Sequence, residues 1–125
     1  MGKNRNTDNS LAQVELSGQR ISRNNKILCI EQLIRFVVNT VVHQIVELHT
    51  NRPESKNFLN SEIIEYRGKA EESAESHNWN EEDKKYLESE SLKKIKEKLA
   101  TKYSDITYSD EEVLMKLREL IKEII

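Results

Sequence analysis

An all-α fold is predicted for this 125-residue chain, and three observations predict it. Only three Gly and one Pro punctuate the sequence, too few for the many tight turns of an all-β sandwich. Apolar residues recur at spacings of three and four in four separate stretches, the period of one helix face. Charged residues make up 34% of the chain and hydrophobic residues 36%, with a mean hydropathy of −0.76. That balance describes a few apolar stripes inside a heavily charged surface. The length suits one domain whose core needs neither disulfide nor metal. The expected architecture is a small bundle of four main helices, about 26–51, 58–76, 81–103 and 110–125, around a long buried central helix. A short N-terminal helix over 10–17 would precede them.

The stretch from Lys26 to Asn51 is the only long apolar run, and the rest is organised around it. Ile30, Leu33, Ile34, Val37, Val38, Val41, Val42, Ile45 and Leu48 recur at helical spacing. Glu31, Arg35, Asn39, His43 and Glu47 fall four apart, as one narrow polar stripe. So little polar surface implies burial on most sides. The β-branched content of residues 36–46 favours strands. However, no Gly or Pro supplies a turn near Asn39–Thr40, and the apolar residues sit in adjacent pairs instead of alternating. The recurring polar residues leave no clean run of about 18 apolar residues, so a membrane span is not expected.

The remaining elements follow from local chemistry. Residues 1–9 carry no apolar residue after Met1 and read as a disordered basic arm, leaving 10–125 as a single helical domain. Ser10 with Gln13 suggests a weak capping box for a short helix that Gly18 ends. Residues 19–25 form a polar connector in which Ser22 or Asn24 could cap the long helix. Asn51 and Pro53 stop that helix, and the next is expected to begin near Asn57 or Ser61. Its second half is polar apart from two Ala, and Gly68 weakens it. Asn80 caps the third helix, whose first turn holds Glu81, Glu82 and Asp83 and whose end holds Lys98 and Lys102, an order that complements the helix dipole. Ser109 with Glu112 forms a capping box for the last helix. That helix carries Val113, Leu114, Leu117, Leu120, Ile121 and Ile124 as a near-heptad stripe running to its end.

Several functions lack the residues they need. The lone Cys29 rules out an intramolecular disulfide framework and a cysteine zinc site, and reads as a buried inert thiol. Glycines 2, 18 and 68 make no phosphate loop, and no serine sits in a glycine-framed elbow. His43 and Glu47 share a helix face and could in principle ligate a metal or exchange a proton. Without any Glu-x-x-His spacing they read as a hydrogen-bonded polar ladder, while His49 and His77 read as solvated. No catalytic residue, metal, cofactor or small-molecule substrate is therefore expected, and the chain is not expected to be an enzyme. There is no signal-peptide core and no glycosylation sequon, and position 6 departs from the myristoylation pattern. An intracellular location, cytoplasmic or nuclear, is expected.

Two classes of partner remain. Exposed apolar helix faces mark association, so a protein partner or homo-oligomer is expected, with Leu117, Leu120, Ile121, Ile124 and Trp79 as contact residues of an assembly or adaptor domain. The alternative is nucleic acid. Lys3, Arg5, Arg20, Arg23 and Lys26 face only Asp8 and Glu15 in residues 1–26, a net charge of +3, which makes a candidate contact arm. Five lysines face one glutamate over residues 93–102, but they are spread around their helix without a stacking aromatic. In helix lengths alone, 10–17, 26–51 and 61–70 resemble the short-long-short order of the histone fold, which would imply pairing into dimers and contact with DNA.

Overall fold

In the computed structural model, residues 18–51 and 53–125 are described, with side chains from Lys26 onward except Pro53. Four helices, α1 (Gly18–His49), α2 (Pro53–Glu75), α3 (Glu81–Lys102) and α4 (Asp110–Ile124), form a small all-α bundle, with no strand among the described residues. At 1.5 Å per residue α1 is about 48 Å long, and each of the others is about 35 Å or less. The contacts fix the directions. Cys29 meets Ser76 and His43 stacks on Tyr66, so α2 runs antiparallel to α1. Lys26–Asp83, Glu31–Tyr86 and Asn39–Lys98 set α3 parallel to α1. His49–Glu112 and Arg118–Glu88 turn α4 back against both. α1 touches all three other helices, whereas α2 and α3 are not neighbours. The connection over residues 76–80 therefore passes from one side of α1 to the other.

The core follows the apolar stripes. From α1 come Ile30, Leu33, Ile34, Val37, Val38, Val41, Val42, Ile45 and Val46. Leu59, Ala70 and Ala74 of α2, Leu87, Ile95 and Leu99 of α3, and Val113, Leu117 and Leu120 of α4 close over them. The apolar girdle of α1 is wide because it serves three neighbours. Leu48, at its upper end, is half exposed and lies outside the core.

Two boundaries differ from the sequence expectation. Residues 19–25 are helical, within α1, instead of a connector. No Gly or Pro falls among them, and Gln19, Arg20 and Arg23 are good helix formers. Pro53 starts α2 instead of standing outside it. Proline is preorganised for a first helical position, where its missing N–H would have no partner. The 10–17 helix and the 1–9 arm lie outside the described residues. The histone resemblance loses its basis in length, because residues 61–70 are the middle of a 23-residue helix.

The caps are specific. Asn80 accepts from the Asp83 N–H at 2.8 Å, and the Asp83 carboxylate accepts from the Asn80 N–H at 3.0 Å. Asp83 also pairs with Lys26 at 2.7 Å. Desolvation works to raise its pKa, but the bonds from Lys26 and the Asn80 N–H outweigh it and hold the carboxyl below its usual value. A depressed carboxyl stabilises the fold above its unfolded pKa, about 4, and that contribution is lost as pH falls through the folded value. Asp83→Ala is expected to cost about 1 kcal/mol at neutral pH, with the gap to the parent closing in acid, as pH falls well below the unfolded value of about 4. Urea titrations at neutral and acid pH check this; a gap that stays constant would exclude the linkage. At α4, Ser109 accepts from the Glu112 N–H. The expected return bond from Glu112 is absent because its carboxylate is taken by His49.

Gly68 is exposed inside α2, and a methyl group there would meet no atom within 4 Å. Gly68→Ala is expected to stabilise the chain by about 0.5–1 kcal/mol, seen as a rise in Tm of roughly 4 °C. An unchanged or lower Tm would contradict it.

Candidate functional site

A cleft that combines apolar walls with an exposed aromatic lies at the upper end of the bundle. The end of α1, the start of α2 and the α3–α4 turn enclose its volume of about 610 Å³. Val46 and Leu59 form its buried floor, Tyr103 and Ile106 are half-buried walls, and Phe58 stands 64% exposed at its edge. Helical spacing explains the pair on α2: Leu59 points at α1 and Phe58, one residue earlier, is turned about 100° away. The turn is held by the Ile106 N–H donating to the Tyr103 carbonyl at 3.1 Å. His49, at the cleft margin, donates from Nε2 to both carboxylate oxygens of Glu112, at 2.9 and 2.8 Å, tying α1 to α4. His49 is thus half-buried and paired, not solvated as expected.

The sequence-predicted partner residues fare differently from one another. Leu117 and Leu120 have essentially no solvent surface. This corrects the expectation that they face a partner, since both are consumed by the chain's own core. Ile121 and Ile124 are half-buried and pack against that core. Trp79 is also half-buried. Its Nε1–H donates to the Ala74 carbonyl at 2.7 Å, Lys26 Nζ stands 5.7 Å from its ring centroid, and it packs on the core where the 76–80 connection crosses the foot of α1. It plugs that end of the bundle. His77, expected to be solvated, is half-buried; its ring is tilted against Trp79 and hydrogen-bonded to Ser76.

The polar stripe of α1 is divided among neighbours. His43 Nδ1 donates to the Asn39 carbonyl at 2.7 Å while its ring stacks on Tyr66, so the ring is held by structure on both its edge and its face. The Tyr86 hydroxyl donates to Glu31, and that bond is the main cause of a raised phenol pKa. Of the nucleic-acid candidates, Lys3 and Arg5 lie outside the described residues, and Arg20 and Arg23 fall on the first turns of α1. Lys26 is committed to Asp83 and Trp79, which corrects its assignment to a free basic arm.

Sequence reading missed Phe58 as a site residue and missed one cationic grouping. Lys94, Lys98 and Lys102 recur four apart, so they share one edge of α3, and Lys94 and Lys98 line a groove with Arg35 of α1. The spacing was legible, but the register of α3 against α1 was not. Lys98 donates to Asn39 Oδ1 at 2.7 Å. Desolvation first, and repulsion from Lys102 second, lower its pKa. No described helix is long and apolar enough to cross a membrane. Comparison with protein-family models, curated proteins and solved structures returns no match for this chain.

Proposed function

We propose that this chain is a non-catalytic interaction domain that associates, with itself or with another protein, through an apolar helix end. The observation that carries the reading is Phe58, 64% exposed beside the cleft floored by Val46 and Leu59. A large aromatic at the rim of a desolvatable pocket is the usual form of a binding anchor. The core closes without Phe58, so leaving it in water has no evident structural return. Other large apolar side chains are exposed on the helices, among them Leu28, Ile64 and Met115. Scattered single residues of this kind are ordinary on a soluble surface, and the weight rests on Phe58 and its cleft.

The test combines association with stability. Light scattering over a dilution series and affinity purification from the native cell report self-association and partner capture. Phe58→Ser is expected to weaken either one at least about tenfold, a loss of roughly 1.4 kcal/mol or more in binding, while leaving the denaturation midpoint within about 0.5 kcal/mol. A chain that stays monomeric and captures nothing reproducibly would end the proposal.

A further inference from the structure

Between α1 and α3, sharing no lining residue with the Phe58 cleft, runs an open groove of about 550 Å³. Ile34 and Val38 lie at its floor; Arg35 and Asn39 form one wall, and Lys94 and Lys98 the other. Arg35, Lys94 and Lys98 have no carboxylate within ion-pair distance among the described residues. Glu97 also lines the groove, and Glu31, at its lower end, is already engaged by the Tyr86 hydroxyl. The cations outnumber these carboxylates, so the middle of the groove is net positive.

Lys98 is the informative member. It is half-buried, its one hydrogen-bond partner among the described residues is the neutral Asn39 amide, and a like charge, Lys102, stands one turn away on the same helix. Desolvation and that repulsion both act against its charged form. A desolvated ammonium without a counterion costs stability, and like charges four apart on a helix add to the cost. An anion in the groove would relieve both.

From this geometry we infer that the α1–α3 groove binds a small amphipathic carboxylate, an aliphatic acid whose head group meets Lys98, Arg35 and Lys94 and whose chain lies along the aliphatic stems of those side chains. Ile34 and Val38 beneath expose only 1% and 4% of their surface, so the stems of Arg35, Lys94 and Lys98 supply most of the groove's apolar lining. The volume falls in the range of small-molecule sites, about 300–1,000 Å³, which pair apolar walls with a few convergent polar groups. An extended nucleic-acid backbone is disfavoured by Glu31 and Glu97 and by the lack of a stacking aromatic among the lining residues.

The experiment is a titration of the isotope-labelled full chain with sodium octanoate, read by amide chemical shifts. Saturable shifts confined to residues 31–39 and 94–101, with a Kd of about 1 mM or tighter, are expected. Lys98→Met is expected to weaken binding at least about tenfold, and Lys94→Gln, on an exposed side chain that cannot disturb the core, by a few-fold. Shifts of equal strength with inorganic phosphate would overturn the aliphatic class, because charge alone would then suffice. Groove shifts with a hexaglutamate peptide but none with octanoate would replace the small acid by an acidic protein segment. No groove shift with octanoate at about 10 mM, or full affinity in both variants, would also overturn the inference.

Discussion

Leu117→Ala is expected to lower the unfolding free energy by about 2–5 kcal/mol. Leu117 has no exposed surface and sits where α4 closes over the apolar girdle of α1, among residues that are themselves buried. Truncation removes the transfer free energy of the lost carbons and leaves a cavity that a four-helix core can only partly collapse. Against a total stability of about 5–15 kcal/mol for a domain of this kind, the loss is large. Denaturant titration followed by circular dichroism measures it. The residue thus separates two roles that the sequence did not distinguish. If Leu117 were an interface residue, the variant would keep its stability and lose association. A change below about 1 kcal/mol would contradict the packing described here.

Trp79→Ala is expected to cost about 2–3 kcal/mol, somewhat less than a fully buried tryptophan. Three interactions are lost together: the indole packing on the core, the hydrogen bond to the Ala74 carbonyl, and the Lys26 ammonium over the ring. Trp79→Phe retains most of the packing and should lose only about 1 kcal/mol, the value of one neutral hydrogen bond. Denaturant midpoints of both variants give the comparison. If the alanine variant kept parental stability but failed to associate, the side chain would be a partner anchor and not the plug at the foot of the bundle.

Helix existence and type were legible because periodicity and caps are local. Asn80 and Ser109 cap α3 and α4 where the sequence places them, and Ile95 and Leu99 fall on the buried face that their spacing predicts. What was not legible depended on neighbours. Leu117 and Ile121 share one stripe, yet the first is buried and the second half-exposed, because α4 crosses α1 and α3 at a particular register. The Ser109–Glu112 box looked complete until His49, 63 residues away, claimed the carboxylate. The grouping of Lys94 and Lys98 with Arg35 required knowing that α3 lies parallel to α1. Helical wheels cannot supply that, since a short linker would ordinarily set consecutive helices side by side.

That parallel pairing bears on the order in which the chain can assemble. The α1–α2 contacts join helices adjacent in sequence and need only a short loop to close. The contacts of α1 with α3 join residues 55 and 59 positions apart, across the whole of α2. Loop closure makes such contacts later and slower than local ones. During synthesis, the α3-facing side of α1, with Ile34 and Val38 on it, therefore has to wait in water for a helix not yet made. A fragment ending near residue 80 should form the α1–α2 hairpin with that side uncovered. Such a fragment is expected to bind an apolar dye that the full chain does not, and a dye-silent fragment would show that another packing covers α1 before α3 arrives.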